Sequence, residues 1–100
     1  MKDVWLRIEY RDFYDIPRAF IVEYQDAVYF FDCPFDADLD EYPEQYTVYR
    51  IPVSLPDAIN APSWAELPGH GIRVAQIRTG AVEFDPTKRG AVRASVFDLV

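Results

Sequence analysis

The sequence is poor in the residues that most often carry chemistry, with one cysteine, one histidine and four glycines among its 100 residues. The lone Cys33 cannot form an internal disulfide, which is compatible with a reducing compartment. One cysteine and one histidine fall short of the four ligands that a structural zinc site needs. The glycines, at positions 69, 71, 80 and 90, match neither a dinucleotide-binding fingerprint nor a phosphate-binding loop. We therefore expect neither a cofactor nor a metal.

Long apolar runs are also missing. No stretch approaches the roughly 20 apolar residues that are needed to cross a bilayer. Residues 1–10 place Asp3, Arg7 and Glu9 where an export signal would need an uninterrupted apolar core. We therefore expect a cytoplasmic protein without a membrane partner.

Positive charge is absent from the segment between Arg18 and Arg50, which contains eight acids and no lysine, arginine or histidine. The remainder of the chain is nearly neutral, so this segment accounts for the formal net charge of -7. An acidic surface repels phosphate backbones and anionic lipids. The partners that remain are a basic protein surface, a cation, or a second copy of the chain that pairs through an edge strand.

Apolar residues, in contrast, are plentiful: they make up 50% of the chain, and 16% of it is aromatic. This composition supports a buried core and argues against disorder. One hundred residues suit a single domain, residues 1–100, because two domains of half this size would each struggle to bury a core.

Seven short segments show the patterns of β-strands: residues 4–10, 19–24, 27–33, 46–52, 72–77, 81–84 and 91–97. Residues 25–26 are short enough to connect a hairpin. Residues 11–18 are predicted to be a turn or irregular link, because Asp12, Asp15 and Pro17 favour turns. Ser63 and Glu66 have the spacing of a helix capping box. We predict an all-β domain, a small barrel or roll of about seven short strands, SH3-like or similar, with at most one or two short helical turns.

An acidic loop, residues 36–44, separates the third and fourth predicted strands. Asp36, Asp38 and Asp40 alternate like the first three ligands of a calcium loop. Glu41, however, stands where that loop requires glycine, and Thr47 stands where it requires a bidentate glutamate. A solvated charged loop is the simpler interpretation.

Tyrosines border the acidic loop, and tyrosine combined with carboxylates makes a good docking surface for an arginine-rich partner. We therefore predict a non-enzymatic protein-interaction domain, of which an inhibitor or immunity-type protein that covers a cationic active site is one version. The predicted interaction residues are Asp36, Asp38, Asp40, Glu41, Tyr42, Glu44 and Tyr46.

An alternative of a different class stays open: a small enzyme or ligand-binding barrel that uses Asp32, Cys33 or His70 in an interior pocket. Such a site requires the side chains to converge. The simpler expectation is that Cys33 is a buried core residue and that His70, which lies between two glycines, is exposed in a turn. Lys88, Arg89 and Arg93 form a small basic group of their own.

Overall fold

Two antiparallel sheets form the computed structural model, which describes residues 4–87 and 90–100. Strand β1 (Trp5–Arg7) pairs with β7 (Ala91–Arg93). The larger sheet is a meander in which each strand pairs with the next along the chain. Its strands are β2 (Glu9–Tyr14), β3 (Ile16–Tyr24), β4 (Ala27–Asp32), β5 (Gln45–Ile51) and β6 (Ile72–Arg78). Strands and isolated bridges together hold 44% of the chain, so the all-β prediction is confirmed only as a mostly-β domain.

The larger sheet is not closed into a barrel. Strands β2 and β6 lie at its two edges and do not pair with each other in the part of the chain that the structure describes. A sheet can remain open when other segments cover its two faces, because closure is then not needed to bury apolar side chains. The predicted barrel or roll is therefore not confirmed, because the larger sheet is open and has a core on each face.

Helical segments are more numerous than predicted, although all are short. They are α1 (Leu55–Ile59), α2 (Leu67–His70) and the 3-10 turns Trp64–Glu66, Thr79–Ala81 and Ala94–Asp98. Proline occupies an early position in both α-helices, where its missing N–H costs nothing. The Ser54 side chain caps α1, whereas Ser63 makes no side-chain capping hydrogen bond.

The prediction of a turn or irregular link over residues 11–18 holds only for Asp15, because the residues on both sides of it belong to strands β2 and β3. Asp15, with a φ of 66°, makes the whole connection between β2 and β3, in which Tyr14 pairs with Ile16 and Phe13 with Pro17. Aspartate tolerates this left-handed conformation better than most residues. The turn therefore occupies a single residue, Asp15, and strand structure continues on both sides of it.

Of the last two predicted strands, one is absent and the other is shorter than predicted. Residues 81–84 do not form a strand: Phe84 makes one isolated bridge, to Val92. β7 ends at Arg93 and gives way to a 3-10 turn. The basic residues Lys88 and Arg89 lie outside the described residues.

The predicted hairpin at residues 25–26 is confirmed, with β3 and β4 joined directly by Gln25 and Asp26. Both residues have positive φ, 50° and 65°. This is the geometry that fits the right-handed twist of two paired strands, and it forms here without glycine.

Two cores lie on opposite faces of the larger sheet. The first contains Phe20, Phe31 and Tyr46, which the segments near the chain ends cover with Val92 and Val96. The second contains Ile21, Phe30 and Ile51. The helical residues Ala58, Trp64 and Leu67 pack on them and belong to the same core. Strand β4 contributes to both cores, as its unbroken apolar run predicts. None of the helices in residues 4–87 and 90–100 is long and apolar enough to span a membrane.

Candidate functional site

The acidic loop has a defined shape. Two backbone hydrogen bonds, of 2.8 and 3.2 Å, join Asp36 and Glu41 and close a tight turn. The Asp36 carboxylate accepts hydrogen bonds from the backbone N–H groups of Asp38 (3.0 Å) and Leu39 (3.2 Å). Asp40 has a φ of 53°. Aspartate suits both roles, because its short side chain bonds to nearby backbone and tolerates left-handed conformations. Part of this acidic sequence therefore serves to build the loop.

The other carboxylates of the acidic loop point their charge toward solvent. Asp38, Asp40, Glu41 and Glu44 are all exposed. The ion pairs within the described residues involve acids outside the loop: Arg7 pairs with Glu9, and Arg93 pairs with Glu83. The negative field of the loop is therefore not neutralised by contacts within the described chain, and such a field attracts a basic partner.

Tyr42 lies at the end of the loop and is held by three neighbours. Its ring stacks on Tyr14, with centroids 5.4 Å apart, and meets Phe35 at an edge, at 5.1 Å. The Arg18 guanidinium lies over the Tyr42 ring, 4.5 Å from its centroid, and donates a hydrogen bond from Nε to the Tyr14 carbonyl oxygen at 2.9 Å. These contacts fix the aromatic group against β2 and β3.

The two aromatic side chains that contact Tyr42 are exposed, and so is Leu39 of the same loop. Tyr14 is 60% exposed, Phe35 49% and Leu39 66%. We call Tyr14, Phe35 and Leu39, together with the carboxylates of Asp40 and Glu41, the Phe35 surface. A cavity of about 460 Å³ lies beside Tyr14, Phe35 and the two carboxylates, and Arg18 also lines it. Tyr14 was not predicted as a site residue because it lies in the segment that was predicted to be a turn or irregular link. Phe35 was not predicted because an aromatic residue beside a charged loop shows no strand or helix period.

Tyr46 does not belong to this surface, which corrects its predicted role. Its side chain is fully buried, with edge contacts to the Phe20 and Phe31 rings. The hydroxyl donates a hydrogen bond of 2.5 Å to the Pro17 carbonyl oxygen. Burial raises the pKa of the Tyr46 hydroxyl well above its ordinary value. Tyr46 is a core residue that links β5 to β3.

The three residues of the enzyme alternative do not converge. Cys33 is fully buried and belongs to the first core, whereas His70 is exposed at the end of α2, the helix whose Leu67 enters the second core. Asp32 lines a cavity, but neither Cys33 nor His70 lines it. No hydrogen bond joins any two of these side chains within the described residues. The geometry thus lacks the contact that a nucleophile and its base require.

The Asp32 cavity has a volume of about 510 Å³ and adjoins the Phe35 surface, because Phe35 lines both. Asp12 and Trp64 also line it. Burial raises the pKa of the Asp32 carboxyl, and the nearby negative charge of Asp12 raises it further. A carboxyl perturbed in this way inside a cleft is a typical mark of a functional site.

Cys33 is held in a defined environment. Arg18 Nη1 donates to the Cys33 Sγ at 3.5 Å, and the thiol is 3.2 Å from the Pro43 carbonyl oxygen, to which it donates. Burial raises the pKa of the Cys33 thiol, and Arg18 offsets only part of this effect. A buried thiol with a raised pKa is a poor nucleophile.

We therefore expect thiol reagents to modify Cys33 slowly in the native protein and rapidly after denaturation. The reactive species is the thiolate, and both burial and the raised pKa reduce its supply. The measurement is the rate of disulfide exchange with an aromatic disulfide reagent, with and without denaturant. Equal rates in the two conditions would contradict the buried environment described here.

No group of three or more histidine, cysteine or acidic side chains is placed to hold a metal ion within residues 4–87 and 90–100. The alternating Asp36, Asp38 and Asp40 thus form no such group. Asp36 instead uses its carboxylate on the loop backbone.

A further cavity, of about 550 Å³, lies at the opposite end of the sheet, near the turn between β3 and β4. Apolar side chains such as Ile51 and Ile72 line much of it, with one acid, Asp26, and one base, Arg50. These two opposite charges produce little net field. We therefore place the candidate site at the end that contains the acidic loop and the exposed aromatic side chains.

Comparison of the chain with protein-family models, with curated proteins and with solved structures found no match. The fold and the site define a mostly-β domain of two sheets that carries an acidic, aromatic surface at one end.

Proposed function

We propose that this protein is a non-enzymatic interaction domain that binds a basic protein through the acidic loop and the Phe35 surface. The observation that carries the proposal is the position of Phe35, an exposed aromatic side chain beside two carboxylates that form no ion pair in the described part of the chain. Protein interfaces are commonly anchored by aromatic side chains at their centre and surrounded by polar groups. Asp40 and Glu41 supply that charged surround.

Electrostatics supports a basic partner in particular. The exposed acids of the loop form no ion pair within residues 4–87 and 90–100, so their field extends into solvent and would accelerate the approach of a positively charged surface. The same field disfavours nucleic acid and anionic membranes. The proposal includes a cytoplasmic location, where the single thiol stays reduced.

An inhibitor or immunity-type role is the specific version that we favour. A protein that covers a cationic active site needs rapid association and a rigid anchor. The acidic loop would provide the rapid association. The rings of Tyr14, Phe35 and Tyr42, which contact one another, would provide the rigid anchor. Self-association through the edge strands β2 or β6 stays a prediction. The charged residues on both edge strands argue against it.

Changing Asp36, Asp38, Asp40 and Glu41 to their amides is expected to weaken partner binding with the fold intact. Asparagine at position 36 retains the oxygen that accepts the loop hydrogen bonds. The association rate should fall by about tenfold or more, with a flatter salt dependence, because steering is lost. The measurement is capture from a lysate of the native organism at low and high salt, followed by association kinetics with each captured basic protein.

The matched control removes four negative charges elsewhere, with amides at Glu23, Asp26, Asp57 and Asp85. It should keep most of the binding. Equal loss in the two variants would show that net charge alone attracts the partner. Full binding by the loop variant would show that the acidic loop is not the interface.

A further inference from the structure

The Asp32 cavity has features of a binding pocket for one side chain. Phe30, Phe35 and Trp64 form aromatic walls, and Asp12 and Asp32 contribute two carboxylates. The cavity is therefore apolar on its sides and negative at one place. Pockets of this kind, with a few polar groups among aromatic side chains, are typical of specific ligand sites.

The carboxylate of Asp32 has no partner in the described chain. No hydrogen bond or ion pair within residues 4–87 and 90–100 reaches it. Arg11 also lines the cavity, but its Nη2 donates to the Ile59 carbonyl oxygen at 3.1 Å. The Arg11 guanidinium lies over the Trp64 ring, 4.5 Å from its centroid, and makes no ion pair with either acid. The cavity thus keeps an excess of negative charge.

We propose that this cavity receives an arginine side chain of the basic partner, an inference that rests on the proposed function and specifies one contact within it. The guanidinium group would face Asp32 and Asp12, and its plane would lie against the exposed Phe35 ring, since Arg11 already covers Trp64. Phe35 lines both this cavity and the one beside Tyr42, so the inserted side chain and the contact on the Phe35 surface belong to one continuous interface.

Arginine fits this cavity better than lysine for two reasons. A guanidinium is planar and stacks on aromatic rings, as Arg11 does here on Trp64 and Arg18 on Tyr42. It also carries several donors in a fixed plane, so it can reach two carboxylates at once, whereas an ammonium is a compact charge that keeps its water more strongly.

The electrostatic state of Asp32 is consistent with this assignment. Its carboxyl pKa is raised by burial and by Asp12, so the charged form is disfavoured in the free protein. A cation in the cavity would favour the charged form and relieve this cost. The partly buried Asp32 carboxylate is thus less costly when a cation occupies the cavity than when the cavity is empty.

The test uses N-acetylargininamide as the probe, so that it does not depend on finding the partner. Its uncharged analogue N-acetylcitrullinamide and N-acetyllysinamide serve as comparisons. Binding is followed in ¹H–¹⁵N spectra of the full chain and by Trp64 fluorescence in a Trp5→Phe variant, which leaves Trp64 as the only tryptophan. We expect shifts at Asp32, Ala65 and the Trp64 indole, with a dissociation constant of roughly millimolar size.

Asp32→Asn should weaken the argininamide affinity by about tenfold, because one charge partner is removed. The substitution should not unfold the protein, since burial already disfavours the charge that it deletes. Asp57→Asn, an exposed site on α1, is the control and should leave the affinity unchanged. Binding of citrullinamide or lysinamide as tight as that of argininamide would overturn the assignment, as would unchanged binding by Asp32→Asn.

The acidic-loop variant separates this inference from the proposed function. Its four amides lie outside the residues that line the cavity, so it should bind argininamide nearly as well as the original protein. If argininamide does not bind the original chain, the arginine pocket is wrong whether or not the loop captures a basic protein. If argininamide binds but no basic protein depends on the loop, the proposed function fails and the pocket stands.

Discussion

Replacing Tyr46 with phenylalanine is expected to destabilise the protein by about 1–3 kcal/mol, because it leaves a buried acceptor without its donor. The Tyr46 hydroxyl donates to the Pro17 carbonyl oxygen at 2.5 Å, in a region that is fully closed to water. Strand β4 pairs with β3 only as far as Ala19, so it supplies no donor to Pro17, whose strand neighbour is Phe13 of β2. Tyr46→Ala should cost more, about 3–5 kcal/mol, since it also leaves a large cavity in the core.

The measurement is urea denaturation of the two variants beside Tyr49→Phe. Tyr49 lies on the same strand, is half-buried and makes no hydrogen bond through its hydroxyl in the described residues, so its removal should change the free energy of unfolding little. A loss as large for Tyr49→Phe as for Tyr46→Phe would show that the Pro17 hydrogen bond is not the cause.

The alkaline limb of the stability profile offers a second readout of Tyr46. Its pKa is raised in the folded state by burial. The folded protein therefore holds this proton more tightly than the unfolded chain. The resulting stabilisation is complete below the pKa of an exposed tyrosine, about 10, and is lost as the pH rises above that value. Tyr46→Phe should remove this part of the pH dependence.

Replacing Gly71 with alanine is expected to destabilise the protein by about 1–3 kcal/mol through overpacking. A Cβ at this position would lie 2.7 Å from Ile51 Cδ1 and 2.8 Å from the Arg50 carbonyl oxygen. The Ile51 methyl group can move, but the carbonyl oxygen belongs to the backbone of β5. Relief therefore requires that the turn between α2 and β6 shift away from the sheet. Thermal unfolding would measure the effect.

Gly69→Ala is the matched control for this substitution. A Cβ at Gly69 would meet nothing within 4 Å, and alanine is a better helix residue than glycine by about 0.5–1 kcal/mol. The variant should be as stable as the original protein or slightly more so. Destabilisation of similar size at both glycines would indicate that helix α2, and not the close approach to β5, decides the result.

The acidic residues of this protein have two separate uses. Asp12, Asp15, Asp26 and Asp40 adopt positive φ, and Asp36 bonds to the backbone of the acidic loop. These positions replace the glycines that the sequence lacks, since aspartate tolerates left-handed backbone and bonds to its own turn. A high count of aspartates therefore overstates the charge that is free to bind a partner. Substitution by asparagine separates the two uses, because it keeps the turn and removes the charge.

The local strand patterns were readable where apolar residues alternate or run without interruption. Strands β3, β4, β5 and β6 fall at predicted positions, with ends that differ by a few residues. The segment that contains β2 was misread because Asp12 and Pro17 are usually turn or link residues. Here Asp12 is accommodated inside an edge strand, and Pro17 lies where β3 extends beyond β4.

The candidate site was only partly predictable. The acidic loop, residues 36–44, is visible as the most acidic part of the segment without a base between Arg18 and Arg50, and Tyr42 lies within it. The partners of Tyr42 come from β2, β3 and the start of the loop, so no spacing in the sequence connects them. The cavity lined by Asp32, Asp12 and Trp64 likewise brings together three separate parts of the chain.

The sequence by itself determined the mostly-β composition, the central position of β4 and the concentration of negative charge, because each depends on residues that are neighbours along the chain. Only the tertiary structure decided that Tyr46 is buried while Phe35 is exposed. Both are aromatic residues beside the same acidic loop, and their hydrophobicity alone predicts burial for each. The difference arises because Tyr46 lies on a covered strand with Pro17 as a hydrogen-bond acceptor, whereas Phe35 follows the end of β4, where the sheet no longer provides a face to cover it.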